Sequence, residues 1–71
     1  MIPHSKLYKW FTYHAPEGDD VARYEQLREA GLRFAEVIVN LTPESADQTA
    51  AIRKVREAVM TANAAIACKG Q

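Results

Sequence analysis

Seventy-one residues, with nine Lys or Arg balanced by nine Asp or Glu, carry a formal net charge of zero. This excludes the strong positive field that drives non-specific binding to long DNA or RNA. One cysteine, Cys68, excludes an intramolecular disulfide, and one thiol with two histidines cannot assemble a structural zinc site. At roughly 25 cal/mol per Å² of apolar burial against about 1.5 kcal/mol of entropy per ordered residue, a lone chain of this size comes out near zero, so association with further copies is the expected stabiliser.

Residues 1–18 form the first segment. It has neither the apolar run of a signal peptide nor the length of apolar chain needed to span a bilayer, which points to a protein of the cytoplasm. Pro3, Pro16 and Gly18 break any long helical period, leaving an ordered arm with room for one short helix around Lys6–Trp10. Four of the six aromatic residues, Tyr8, Trp10, Phe11 and Tyr13, fall here beside Lys6, Lys9 and His14. Rings stack on nucleobases and cations pair with phosphates, so the cluster suits a nucleotide ligand. Trp10 and Phe11 are expected to fold over the open end of a helical hairpin and complete its core, whereas Tyr13 and His14 lie in a loop whose polar edges would be wasted there.

Residues 19–41 read as a helix, with Asp19 and Asp20 as cap and first-turn charge. Tyr24, Leu27, Gly31, Phe34, Ile38 and Leu41 repeat at alternating spacings of three and four, the seam of an antiparallel helix pair. A short turn, 42–45, follows. Pro43 can open a first helical turn there, and Ser45 with Gln48 three residues on forms a capping box. Residues 46–68 read as the second helix, with Ile52, Val55, Val59, Ala62 and Ile66 as its seam and Lys69 and Gly70 giving a basic last turn and a stop. The fold class is therefore all-α: an N-terminal arm or short helix, then a long antiparallel αα-hairpin, in one domain spanning 1–71. Leu32 and Val39 on the first helix, and Ala46, Ala50, Met60, Ala64 and Ala67 on the second, lie off the seams and favour an oligomer interface.

The inventory for catalysis is poor. Both histidines sit in the arm, no nucleophile has a base at motif spacing, and Glu25, Arg28, Glu29 and Arg33 interleave as a solvated helix face. Neither an enzyme nor a metal or cofactor site is expected. Two further classes fit the residues: a structural hairpin module that only oligomerises, and a small nucleic-acid-binding regulator using Arg53, Lys54 and Arg56. Glu57 on the same helix and the lack of a preceding recognition turn count against the second.

The runs Phe11-Thr-Tyr-His-Ala-Pro16, Arg23-Tyr-Glu-Gln-Leu-Arg28, Leu41-Thr-Pro-Glu-Ser45 and Glu57 through Ala67, ending Ala-Asn-Ala-Ala-Ile-Ala, together resemble the phage anti-CBASS family Acb2. The resemblance covers about residues 11–67; one departure is Thr61, where the family often has an aromatic residue.

The resemblance implies a compact helical protein that assembles as a hexamer and acts as a sponge in the infected bacterial cell. Such a sponge evades immunity by holding the cyclic oligonucleotides with which CBASS signals, and it binds them without cutting. Cyclic dinucleotides such as 3′,3′-cGAMP are expected between two protomers, stacked on a loop tyrosine that falls on Tyr13, with His14 beside it. The phosphate-binding cation of the helix falls on Arg28, with Arg23 as its rival. Cyclic trinucleotides are expected in separate pockets near a three-fold axis, for which His14 and Lys69 are the candidates.

Overall fold

The computed structural model describes residues 2–70, which form three helices and no strand: α1 (His4–Trp10), α2 (Asp20–Leu41) and α3 (Ala46–Ala67). The arm thus contains a short helix, and α2 and α3 pack along their lengths as an antiparallel hairpin.

Local chemistry explains the boundaries, with four departures from expectation. Asp19 makes no capping bond to the α2 backbone; its carboxylate pairs with Arg23 at 3.3 Å, one helical turn on. Asp20 instead reaches back to accept the Glu17 N–H at 2.9 Å, while its own N–H donates to the Glu17 carbonyl at 3.0 Å. That reciprocal pair closes the turn through Gly18, whose φ of +56° suits a residue without Cβ. At the other end of the hairpin Pro43 opens no helical turn but stays in the connection, because α3 begins at Ala46. Ser45 does cap α3, accepting the Gln48 N–H at 3.1 Å. The Gln48 side chain does not return to Ser45; its amide donates to the carbonyl and hydroxyl of Thr42, both at 3.1 Å, tying α3 to the end of α2. Finally, Lys69 lies beyond α3 rather than in its last turn. Its N–H donates to Ile66 and that of Gly70 to Ala65, the paired closure of a Schellman motif with Lys69 in the left-handed position at φ 52°.

The α3 seam of Ile52, Val55, Val59, Ala62 and Ile66 is half-buried throughout. On α2 the half-buried line runs Tyr24, Leu27, Gly31, Ala35 and Ile38, so Phe34 and Leu41 are rotated out of the contact and exposed. Spacings of three and four alternate strictly only when the helix supercoils, whereas a straight helix drifts from that stripe and brings Ala35 in place of Phe34. Gly31 sets how closely the helices approach. A Cβ built there would lie 2.6 Å from Val59 Cγ2, and the stiff β-branched valine cannot swing away. Gly31→Ala is expected to lower stability by about 1–2 kcal/mol despite its better helix propensity, because overpacking outweighs the propensity gain. Much of that loss should disappear when the substitution is made in a Val59→Ala background, as thermal melts of the four proteins would show.

Only Cys68 is buried among the described residues, at 5% exposure. The accessible surface of 5912 Å² exceeds the roughly 4,400 Å² expected for a compact chain of 7.9 kDa. The radius of gyration, 15.1 Å, likewise exceeds the roughly 11 Å of a compact chain this long. With extents of 44 × 32 × 15 Å, the molecule is a plate one helix thick, since a helix with its side chains measures about 10–12 Å across. Apolar grooves run on both sides of the seam. Leu27, Ala30, Phe34, Ala58 and Ala62 line one, of about 590 Å³; Leu32, Ala35, Ile52 and Met60 line the other, of about 280 Å³.

Candidate functional site

The loop between α1 and α2 is held by its side chains. Thr12 donates from its hydroxyl to the Tyr8 carbonyl at 2.6 Å, and His14 bonds through Nε2 to the Lys9 carbonyl at 2.7 Å. A carbonyl only accepts, so Nε2 carries the proton of this bond. Tyr13 stands between these two anchored residues with 83% of its surface exposed. Its neighbours restrain the loop backbone while its ring faces outward.

Phe11 does not close the hairpin core as expected: it is as exposed as Tyr13. Its backbone N–H is spent ending α1, on the carbonyls of Leu7 and Tyr8, and the ring projects from the helix terminus. Trp10 does reach the open end of the hairpin and lines a cavity there with Thr61, Ala64 and Cys68, although nearly half of it stays accessible. The Cys68 thiol lies 3.8 Å from the Lys9 carbonyl, a second tie between arm and α3.

Tyr13 and His14 open onto a cavity of about 250 Å³ walled by Lys9, Glu17, Asp20 and Lys69. Lys69, brought in by the turn after α3, forms an ion pair with Glu17 at 3.2 Å. A second cavity of about 620 Å³ shares Glu17, Asp20 and Lys69 and adds Arg23 and Ile66. The chain therefore brings Tyr13, His14 and Lys69 together and places Arg23 next door. Arg28 is elsewhere, on the hairpin groove with Leu32, Arg56 and Met60. Within one copy Arg28 and Tyr13 do not line the same cavity.

Lys9, a member of the aromatic-basic cluster, is one wall of the site, and Glu17 and Asp20 are walls that the sequence did not point to. The two carboxylates carry no motif; they arrive through the turn at Gly18, and only the docking of the arm onto the end of α3 sets them opposite Lys69. No group of His, Cys, Asp and Glu able to hold a metal ion occurs among the described residues, and none of the described helices is long and apolar enough to cross a membrane.

The fold and site define an all-helical hairpin protein, one helix layer thick, whose N-terminal loop presents an aromatic ring beside cations at the open end. The model of the family described as Acb2/Tad1, hairpin domain, matches residues 3–67, and the chain belongs to that family. Comparison with curated proteins and with solved structures returned no match.

Proposed function

We propose that the protein is a homo-oligomeric sponge that binds cyclic oligonucleotide second messengers and holds them uncleaved, denying them to the effectors of bacterial CBASS immunity. Membership of the Acb2/Tad1 hairpin family supports this class of ligand. The observation that carries it in this chain is the exposed ring of Tyr13 at a cavity that also contains Lys9, His14 and Lys69. A base stacks on the ring for about 1–3 kcal/mol, and the cations meet the phosphodiesters.

The same cavity argues for more than one copy. At about 250 Å³ it falls below the roughly 300–1,000 Å³ of ordinary small-molecule pockets, so a cyclic dinucleotide overfills it unless a second protomer supplies the remaining wall. The single-layer hairpin needs a second layer for its own stability, because domains form by packing layers against one another. A closed ring of six copies supplies both, placing the Arg28 of one protomer near the Tyr13 loop of another. Cyclic trinucleotides would use the second, larger cavity around Lys69.

To test the reading, the protein is mixed with 3′,3′-cGAMP, freed of unbound ligand by filtration and heated, and the released nucleotide is identified by chromatography. Intact nucleotide is expected; a linear product would mean an enzyme, and no retention of any cyclic dinucleotide or trinucleotide would leave a structural module. Arg28→Ala is expected to weaken retention at least tenfold, the scale of a charge-assisted bidentate contact, with Arg23→Ala much milder. The reverse order in a binding titration would transfer the phosphate contact to Arg23.

A further inference from the structure

We propose that the Glu17 carboxylate is a built-in competitor of the anionic ligand at Lys69, and so sets how tightly this site holds a phosphodiester. The inference rests on the sponge reading above and names a residue that works against binding.

Glu17 Oε2 lies 3.2 Å from Lys69 Nζ, the position a phosphate oxygen would take. Both side chains are about two-thirds exposed, so the pair is weak enough for a ligand to open. When the pair opens the Glu17 side chain can rotate, but its backbone stays, which keeps the carboxylate within a side chain's reach of Lys69. The Glu17 backbone N–H is held by the Asp20 carboxylate at 2.9 Å, and the turn that carries it is closed by the Asp20 N–H on the Glu17 carbonyl. A phosphate arriving at Lys69 therefore meets two carboxylates, Glu17 and Asp20, that wall both adjoining cavities. Like charges at this range oppose binding, and the ammonium has to be shared or given up by Glu17.

The backbone of Lys69 adds a second observation. Its φ of 52° is the left-handed position closing a helix, where glycine costs least and a lysine carries strain. Gly70 follows immediately, so the chain holds a lysine at the strained position with a glycine one residue beyond it. A purely structural use of Lys69 is charge against the last carbonyls of α3. That use does not depend on Glu17, which is what separates the two accounts.

The test measures binding of two probes, 3′,3′-cGAMP and inorganic pyrophosphate, to the wild type, Glu17→Gln, Lys69→Gln and the double variant at one ionic strength, with melting temperatures alongside. Glu17→Gln is expected to tighten binding about two- to fivefold, the worth of an exposed ion pair, and this gain should vanish in the Lys69→Gln background. Equal or weaker binding by Glu17→Gln with both probes overturns the proposal, as does a gain that persists without Lys69. If neither 3′,3′-cGAMP nor any other cyclic dinucleotide or trinucleotide binds any of the proteins while pyrophosphate shows the Lys69-dependent gain, the sponge reading fails and the competitor role of Glu17 stands.

Discussion

Phe34→Glu is expected to abolish the proposed oligomer, and with it the cooperative thermal transition of the chain. Phe34 is 58% exposed in a single copy and sits in the larger apolar groove beside Leu27 and Ala58. If a second copy covers that groove, the substitution buries an unpaired carboxylate, which costs at least about 3 kcal/mol at each contact. Symmetry repeats the cost at every equivalent interface. The monomer left behind has one buried residue among those described and no reserve to absorb the loss. Light scattering coupled to size exclusion, followed by a thermal melt, reads both consequences. Phe34→Leu should keep both properties, since it preserves the apolar contact. Leu32→Glu makes the same test of the smaller groove on the other side of the seam. A Phe34→Glu protein that melts cooperatively as a monomer at the wild-type temperature would sink the argument from the single layer.

Tyr13→Ala carries the second large effect, on binding rather than on folding. Loss of one base stack at about 1–3 kcal/mol predicts a loss of affinity for 3′,3′-cGAMP of roughly ten- to a hundredfold. Because the ring is 83% exposed and its backbone is held by Thr12 and His14 on either side, melting temperature and elution volume should not change. Tyr13→Phe keeps the stacking face and is expected to bind within a few-fold of wild type, the difference reporting any hydrogen bond from the phenol. An alanine variant that binds normally but melts early would make Tyr13 a packing residue and move the ligand elsewhere.

Much of the helical architecture was legible residue by residue. Val55, Val59, Ala62 and Ile66 mark the contact face of α3 by spacing alone, and Ser45 announces the cap that starts it. The first half of the contact face of α2 was legible, and the reading failed at Phe34 and Leu41 because a bulky apolar residue at the right spacing looks like core whether or not the helix curves to bring it in. Phe11 failed for a related reason: hydrophobicity says that a ring favours burial but not whether a covering surface exists within one chain. The loop tyrosine stood out because its neighbours Pro16 and Gly18 rule out a helix, and the structure keeps that ring in the open.

By itself the sequence determined the helix-forming stretches, the hairpin connection, the family and the surplus of apolar residues that one small chain cannot bury, because periodicity, caps and composition are properties of near neighbours. Only the tertiary structure decided that Glu17 and Asp20 face Lys69, that His14 is tied to the Lys9 carbonyl, and that Arg28 lies apart from Tyr13. The meeting of Glu17 with Lys69 joins opposite ends of the chain, and its geometry depends on how the arm docks across the end of α3, a packing choice that no local spacing encodes; the His14 tie is local, but it forms in a loop with no regular period to announce it.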